Sequence, residues 1–212
     1  MATRQKMDAA LLKRACRTLR RSDPVLGGVI RRVGTCTIRP AGDPYRGLVR
    51  SVIYQQLAGA AASAIAGRVK ARFGGRFPAP ARLRATPDAA LRRDGLSRSK
   101  IATLKGIARA FDDGSLSNRK LQRMPADELV AAVTRIKGIG PWTAHMLLMF
   151  SLGDPDVLPV GDYGVRKGAM LLYGMKELPK PAQLEAVAEH WRPYRSVGSW
   201  YLWRHLENPP QP

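Results

Sequence analysis

Two features of this sequence have the residue types and spacing for chemistry. One is the turn Ile136-Lys137-Gly138-Ile139-Gly140, followed by Pro141-Trp142-Thr143-Ala144. The other is a single carboxylate, Asp162, twenty residues after Trp142, in Pro159-Val160-Gly161-Asp162-Tyr163. A Gly-x-Gly turn between helices exposes backbone N–H groups to an anion. Its glycines can take positive φ and carry no side chain that would hold a phosphate away. Pro141 opens the next helix, whose first N–H groups and positive dipole end add to the attraction. Contacts of this kind position DNA without reading its sequence. A tight turn between two helices, with no ligand, accounts for the same residues. Asp162 also reads two ways. It can cap a helix beginning near Tyr163, or stabilise a developing positive charge and orient a water.

The charge balance favours a polyanionic partner. Lys and Arg number 36 against 16 acids, a formal net charge of +20 over 212 residues. Such an excess attracts nucleic acid, although an Arg-rich composition alone produces the same number. The charge runs through the whole chain rather than along one amphipathic helix, so no membrane partner is expected. No apolar run reaches the roughly 18 residues of a span. No apolar signal segment follows the basic N-terminus, and a reduced, cytoplasmic setting is expected, in a bacterium and nucleoid-associated through DNA. Two cysteines, Cys16 and Cys36, cannot supply a four-cysteine iron–sulfur cluster. His145, His190 and His205 have no zinc spacing.

The elements that must hold these groups are helices. Asp23-Pro24 and Asp43-Pro44 each predict an N-cap with proline at the first helical position. Tyr45, Leu48, Val49, Val52 and Ile53 share one helical face, which runs out into Gln55-Gln56. Further helices are predicted over 60–73, 97–113, from Pro125 with Leu129, Val133 and Ile136 buried, 143–152, 163–173, 181–191 and 195–207. Arg76 to Pro87 reads as a connector and Gly153 to Gly161 as a loop. Only Thr35 to Ile38 has an extended character. The expected fold is all-α: about ten helices in two packed helical subdomains of one domain, residues 1–212, with a cleft between them, the hairpin at about 127–152, and no N-terminal β domain. The ends, 1–6 and 208–212, read as loose.

With these residues in place the chain resembles the helix-hairpin-helix (HhH-GPD) DNA glycosylase superfamily, and within it the DNA-3-methyladenine glycosylase II branch. The branch resemblance rests on Ile53-Tyr54-Gln55-Gln56-Leu57-Ala58 before an Ala-rich helix, on Trp142, and on Glu189-His190-Trp191-Arg192-Pro193-Tyr194-Arg195-Ser196 leading to Trp203. It covers roughly residues 40–207. It implies excision of alkylated purines (3-methyladenine, 7-methylguanine type) from double-stranded DNA, by a monomer needing no cofactor. Asp162 would be the catalytic carboxylate, facing a sugar with oxocarbenium character. Trp142, Trp203 and Tyr163 would line the base pocket, where an indole suits a cationic base. Gln55, Gln56 and Leu57 would fill the gap left by a flipped nucleotide. Lys137, Gly138, Gly140 and Thr143 would hold the backbone. The family's Na+ or K+ site falls on the carbonyls of Thr134, Ile136 and Ile139.

Members that also cleave the strand carry a lysine where this chain has Trp142, so water is the expected nucleophile. From the residues alone, Gln55 to Leu57 could simply end a helix, Trp203 could be core or pocket, and Trp191 and Trp200 read as core. Where the family often has an aromatic four residues after the hairpin tryptophan, and a second acid before the catalytic one, this chain has Met146 and Gly161. The competing readings are a non-catalytic DNA-binding module and a glycosylase with lyase activity through another lysine.

Overall fold

The computed structural model describes residues 7–207; the chain ends read as loose lie outside that range. Thirteen α-helices are present and no strand, among the described residues. They group into two compact units. One combines the residues up to Pro40 with those from Leu148 onward; the other is Ala41–Leu147.

The first unit opens with α1 (Ala9–Ser22) and α2 (Pro24–Val33). Asp23 ends one helix and caps the next, accepting the Leu26 N–H at 2.9 Å. The second unit contains α3 (Pro44–Tyr54), α4 (Gly59–Arg72), α5 (Pro80–Ala85), α6 (Asp88–Arg93), α7 (Arg98–Asp112), α8 (Asn118–Arg123), α9 (Ala126–Thr134) and α10 (Pro141–Leu147). A π-helical turn, Leu148–Leu152, follows α10. The first unit, resumed by that turn at Leu148, continues with α11 (Tyr163–Leu172), α12 (Pro181–Ala188), a 3-10 turn (Glu189–Trp191) and α13 (Arg195–Glu207).

Both Asp-Pro caps form as expected, and the α3 face Tyr45, Leu48, Val49, Val52 and Ile53 is buried. Three short helices exceed the expected ten. The connector over 76–87 contains α5, which Pro80 starts at N1 and Leu83 anchors in the core. The α6 and α8 helices are only six residues each, too short for a clear period. Ile136 is not on α9, which stops at Thr134; it is half-buried in the turn, and Ile139 is buried instead. The 143–152 helix begins at Pro141 and changes to the π turn at Leu148. Thr35 to Ile38 forms no strand.

The core of the first unit holds Leu11, Leu19, Leu26, Trp191, Tyr201 and Leu202, all fully buried. Asp23 is buried at its edge. Besides its cap bond it accepts the Trp191 indole N–H at 2.8 Å, lies 3.2 Å from His190 Nε2, and accepts the Tyr173 hydroxyl. Burial pushes its pKa up, but these hydrogen bonds, Tyr173 foremost, outweigh burial and hold it below the ordinary carboxylate range. Burial drives Tyr173 upward, and its bond to Asp23 adds to that. Cys16 and Cys36 are both buried free thiols. Trp191 is core as expected. Trp200 is not fully so: it is half-buried, edge-on to Tyr201 at 4.9 Å, with the Arg204 guanidinium 5.4 Å over its ring.

Candidate active site and nucleic-acid interface

Asp162 closes the loop after the π turn. Its N–H bonds to the Pro159 carbonyl at 2.8 Å, and its side chain caps α11. Oδ1 accepts the Val165 N–H at 2.7 Å and the Trp203 indole N–H at 2.9 Å. Capping and catalytic placement are therefore compatible: the cap fixes the carboxylate, and the indole fixes it from α13. Trp203 is half-buried, and the Phe150 ring lies 5.9 Å from it, tilted by 33°.

Two glycines make this approach feasible. A Cβ on Gly164 would stand 2.8 Å from Trp203 Cδ1 and 3.1 Å from Asp162 Oδ1. A Cβ on Gly168 would stand 2.7 Å from the Leu202 carbonyl oxygen. Four apart, they share the face of α11 that packs on α13. Tyr163, expected in the base pocket, is 66% exposed.

The loop from Gly153 to Gly161 is held by Arg192 and by the first residues of α13. Ser196 Oγ donates to the Asp154 carbonyl at 2.7 Å and accepts the Val157 N–H at 2.9 Å. Asp156 receives Arg195 Nε at 2.8 Å and an Arg192 guanidinium N–H at 2.9 Å. The segment that marks the branch resemblance, Arg192 to Ser196, thus acts as a clasp on the loop that ends at Asp162.

In the second unit, α9, the turn and α10 form the expected hairpin. The Ile136 N–H bonds to the Val133 carbonyl at 3.1 Å and the Ile139 N–H to the Ile136 carbonyl at 3.0 Å. Gly138 has φ +90°, and any Cβ there would collide with Thr103 of α7. Gly140 does not have positive φ, and a Cβ there would meet nothing within 4 Å. Its lack of a side chain therefore answers no demand of the protein itself. Lys137 is exposed and Trp142 half-buried.

Two expected DNA contacts have other duties. Thr143 is buried, 1% exposed, and its hydroxyl accepts Gln55 Nε2 at 2.9 Å. Gln55 Nε2 also donates to the Gly138 carbonyl at 3.1 Å. Gln55 Nε2 thus ties the end of α3 to the hairpin. Lys100 of α7 reinforces this end, its ammonium donating to the carbonyls of Ile53 at 2.7 Å and Gln55 at 2.9 Å. Burial lowers the Lys100 pKa. The next residue, Gln56, has φ +54°, a left-handed conformation costing about 1–2 kcal/mol in a non-glycine residue. Gln56 and Leu57 are exposed, Leu57 by 39%. Such held strain is common where a loop engages a ligand.

The HhH-GPD superfamily of base excision DNA repair proteins matches residues 49–193. DNA-3-methyladenine glycosylase 1 of Schizosaccharomyces pombe is 38% identical over 164 residues, covering 76% of this chain and 72% of that one. The structure of the S. pombe 3-methyladenine DNA glycosylase (Mag1) with abasic DNA superposes with a TM-score of 0.85 at 34% identity, covering 92% of this chain and 98% of that one. A Bacillus halodurans DNA-3-methyladenine glycosidase structure gives 0.77 at 38% identity, over 90% and 88%. The chain belongs to the HhH-GPD superfamily of base excision DNA repair proteins, in its DNA-3-methyladenine glycosylase branch. No helix among the described residues is long and apolar enough to cross a membrane.

Proposed function

We propose that this chain is a monofunctional DNA glycosylase that removes alkylated purines, of the 3-methyladenine and 7-methylguanine type, from double-stranded DNA by hydrolysing the N-glycosidic bond. The observation that carries this reading is the Asp162 carboxylate, doubly hydrogen-bonded through Oδ1 to the α11 backbone and the Trp203 indole. A carboxylate with fixed orientation stabilises the oxocarbenium-like sugar without reorganising, and can orient or deprotonate the water that attacks C1′. An alkylated purine already carries positive charge and leaves readily. His145, whose pKa burial lowers, is not needed as a general acid.

The hairpin turn with Lys137 and Gly138 takes the phosphate backbone, and the bare Gly140 lets it approach. Gln56 and Leu57, rather than Gln55, fill the space of the flipped nucleotide. The aromatics available to a cationic base are Trp142 in the second unit and, in the first, Trp203 and the exposed Tyr163 beside Asp162. Gln55 and Thr143 serve by positioning. The protein works as a monomer. A Na+ or K+ ion at the hairpin would be held by the Thr134, Ile136 and Ile139 carbonyls. The Ile136 oxygen already accepts the Ile139 N–H, which leaves a second lone pair for an ion. Such an ion would add positive charge facing a phosphate.

Incubation with methylated duplex DNA, followed by chromatography of released bases, tests the reading. Free 3-methyladenine or 7-methylguanine is expected, with no protein–DNA adduct on borohydride treatment. An adduct would place the chain among the lyases. No release by folded protein that still binds DNA would leave a non-catalytic clamp.

A further inference from the structure

Helices α1 and α2 carry seven basic residues and no acid. Lys13, Arg17 and Arg20 recur at i, i+4 and i+7, and with Arg14 and Arg31 they line a groove of about 710 Å³. The groove is deep enough to reach the buried side chains of Cys16 and Ile30. Gly27 allows the helices to cross closely. A Cβ there would stand 3.2 Å from the Arg20 carbonyl oxygen and 3.7 Å from the Arg31 guanidinium, so Arg31 lies over Gly27 near the Arg20 backbone.

All five cationic side chains are on exposed residues. Among the described residues none of the five is in an ion pair; Arg14 bonds only to the Tyr194 hydroxyl, at 3.2 Å. The second unit differs: Arg72, Arg84 and Lys105 each face an aspartate. Like charges four apart oppose helix formation, and crowding them in a concave, acid-free groove concentrates positive potential.

We propose that this groove binds the phosphate backbone of duplex DNA, as an anion surface built from residues other than those of the hairpin. The proposal rests on the reading of the chain as an enzyme of DNA. From Lys13 to Arg20 the rise along α1 is about 10 Å. One DNA strand presents a phosphate about every 3.4 Å along the axis, so the row spans about three phosphate steps and each of the three cations can meet a phosphate. No aromatic residue lines the groove, which disfavours single-strand binding by base stacking. A lipid surface is disfavoured because the apolar face of α1 (Leu11, Leu12, Ala15, Leu19) is consumed by the core.

The test is the triple variant Lys13→Gln, Arg17→Gln, Arg20→Gln, with binding of a lesion-free duplex measured across salt. The slope of log affinity against log salt should become shallower by about 3, at roughly 0.9 per lost phosphate contact. The affinity lost between 50 and 200 mM salt should then be about 40-fold smaller than in the wild type. Base release at saturating DNA should be unchanged. An unchanged slope in a variant with wild-type circular dichroism and Tm overturns the proposal. So does a variant that loses binding to an acidic peptide while keeping its DNA slope. If the triple variant does not fold, Arg17→Gln and Arg20→Gln singly should each reduce the slope by about 1, and no reduction in either overturns it. Base release by the wild type is scored separately, so a protein that releases no base but shows the slope change would refute the glycosylase reading and retain the groove.

Discussion

The hairpin and the loop ending at Asp162 are supported in opposite ways. In the hairpin the surface proposed to meet phosphate is backbone, and side chains from other segments hold it: Gln55 on the Gly138 carbonyl, Thr103 in the space a Gly138 Cβ would need, Lys100 on the end of α3. At Asp162 the group proposed to act is a side chain, held by the α11 N–H at Val165 and by the Trp203 indole that two glycines admit. Gripping a phosphate chain needs donors that any DNA sequence can use. Cleaving one bond needs a single charge held in one place. A substitution in the first region should change affinity, and one in the second should change the chemical step.

The sharpest test of that contrast is Asp162→Asn. Single-turnover release should fall by at least about 10³-fold, within the range for losing an electrostatic stabiliser and base together, with duplex affinity within a few-fold of wild type. Comparable losses in both would erase the distinction. Gly164→Ala should come next. Its methyl would displace the Trp203 indole from Asp162, and a misplacement near 1 Å costs about 100-fold in rate. Intrinsic tryptophan fluorescence should shift with it; unchanged rate and fluorescence would mean the helices yield without cost.

Gln55→Ala should act on the other side of the comparison. It removes both hairpin ties, at about 1 kcal/mol for each hydrogen bond. Duplex affinity should fall roughly 10-fold, with release at saturating DNA unchanged. A fall in the saturated rate alone would assign Gln55 to the chemistry. The smallest effect on function belongs to Asp23, which serves the framework of the first unit. Because its folded pKa lies below the unfolded value, its contribution is fully present above pH 4. It is lost as pH falls through the folded pKa. Asp23→Asn should lower stability at pH 7 by about 2 kcal/mol and flatten its dependence on pH below 4, in urea unfolding followed by circular dichroism. Rate and affinity should stay near wild type at 25 °C.

Much of this was legible in the sequence because it is local. Asp-Pro capping, the α3 face, the Gly-Ile-Gly turn and the 195–207 helix each depend on residues a few positions apart. Asp162 read two ways in the sequence, as cap and as acid; the cap forms, and it fixes the carboxylate that the proposed function uses. What escaped notice is long-range. Gln55 meets Thr143 across 88 positions, and Asp156 meets Arg195 across 39. Phe150 and Lys100 carry no motif. Gly164 and Gly168 did leave a signal, two glycines four apart on one helix, that sequence reasoning passed over. Short α5, α6 and α8 were missed or absorbed into connectors because six residues hold too little periodicity.

The first unit is assembled from both ends of the chain, while the second is one continuous stretch. During synthesis, Gln55, Lys100 and Thr103 are already part of the chain before Leu148 is added. Trp203 is added 41 residues after the aspartate it meets. A chain interrupted before α13 would keep the named ties of the hairpin and lose the indole that fixes Asp162, so the proposed grip and the proposed chemistry part company at the point where translation stops.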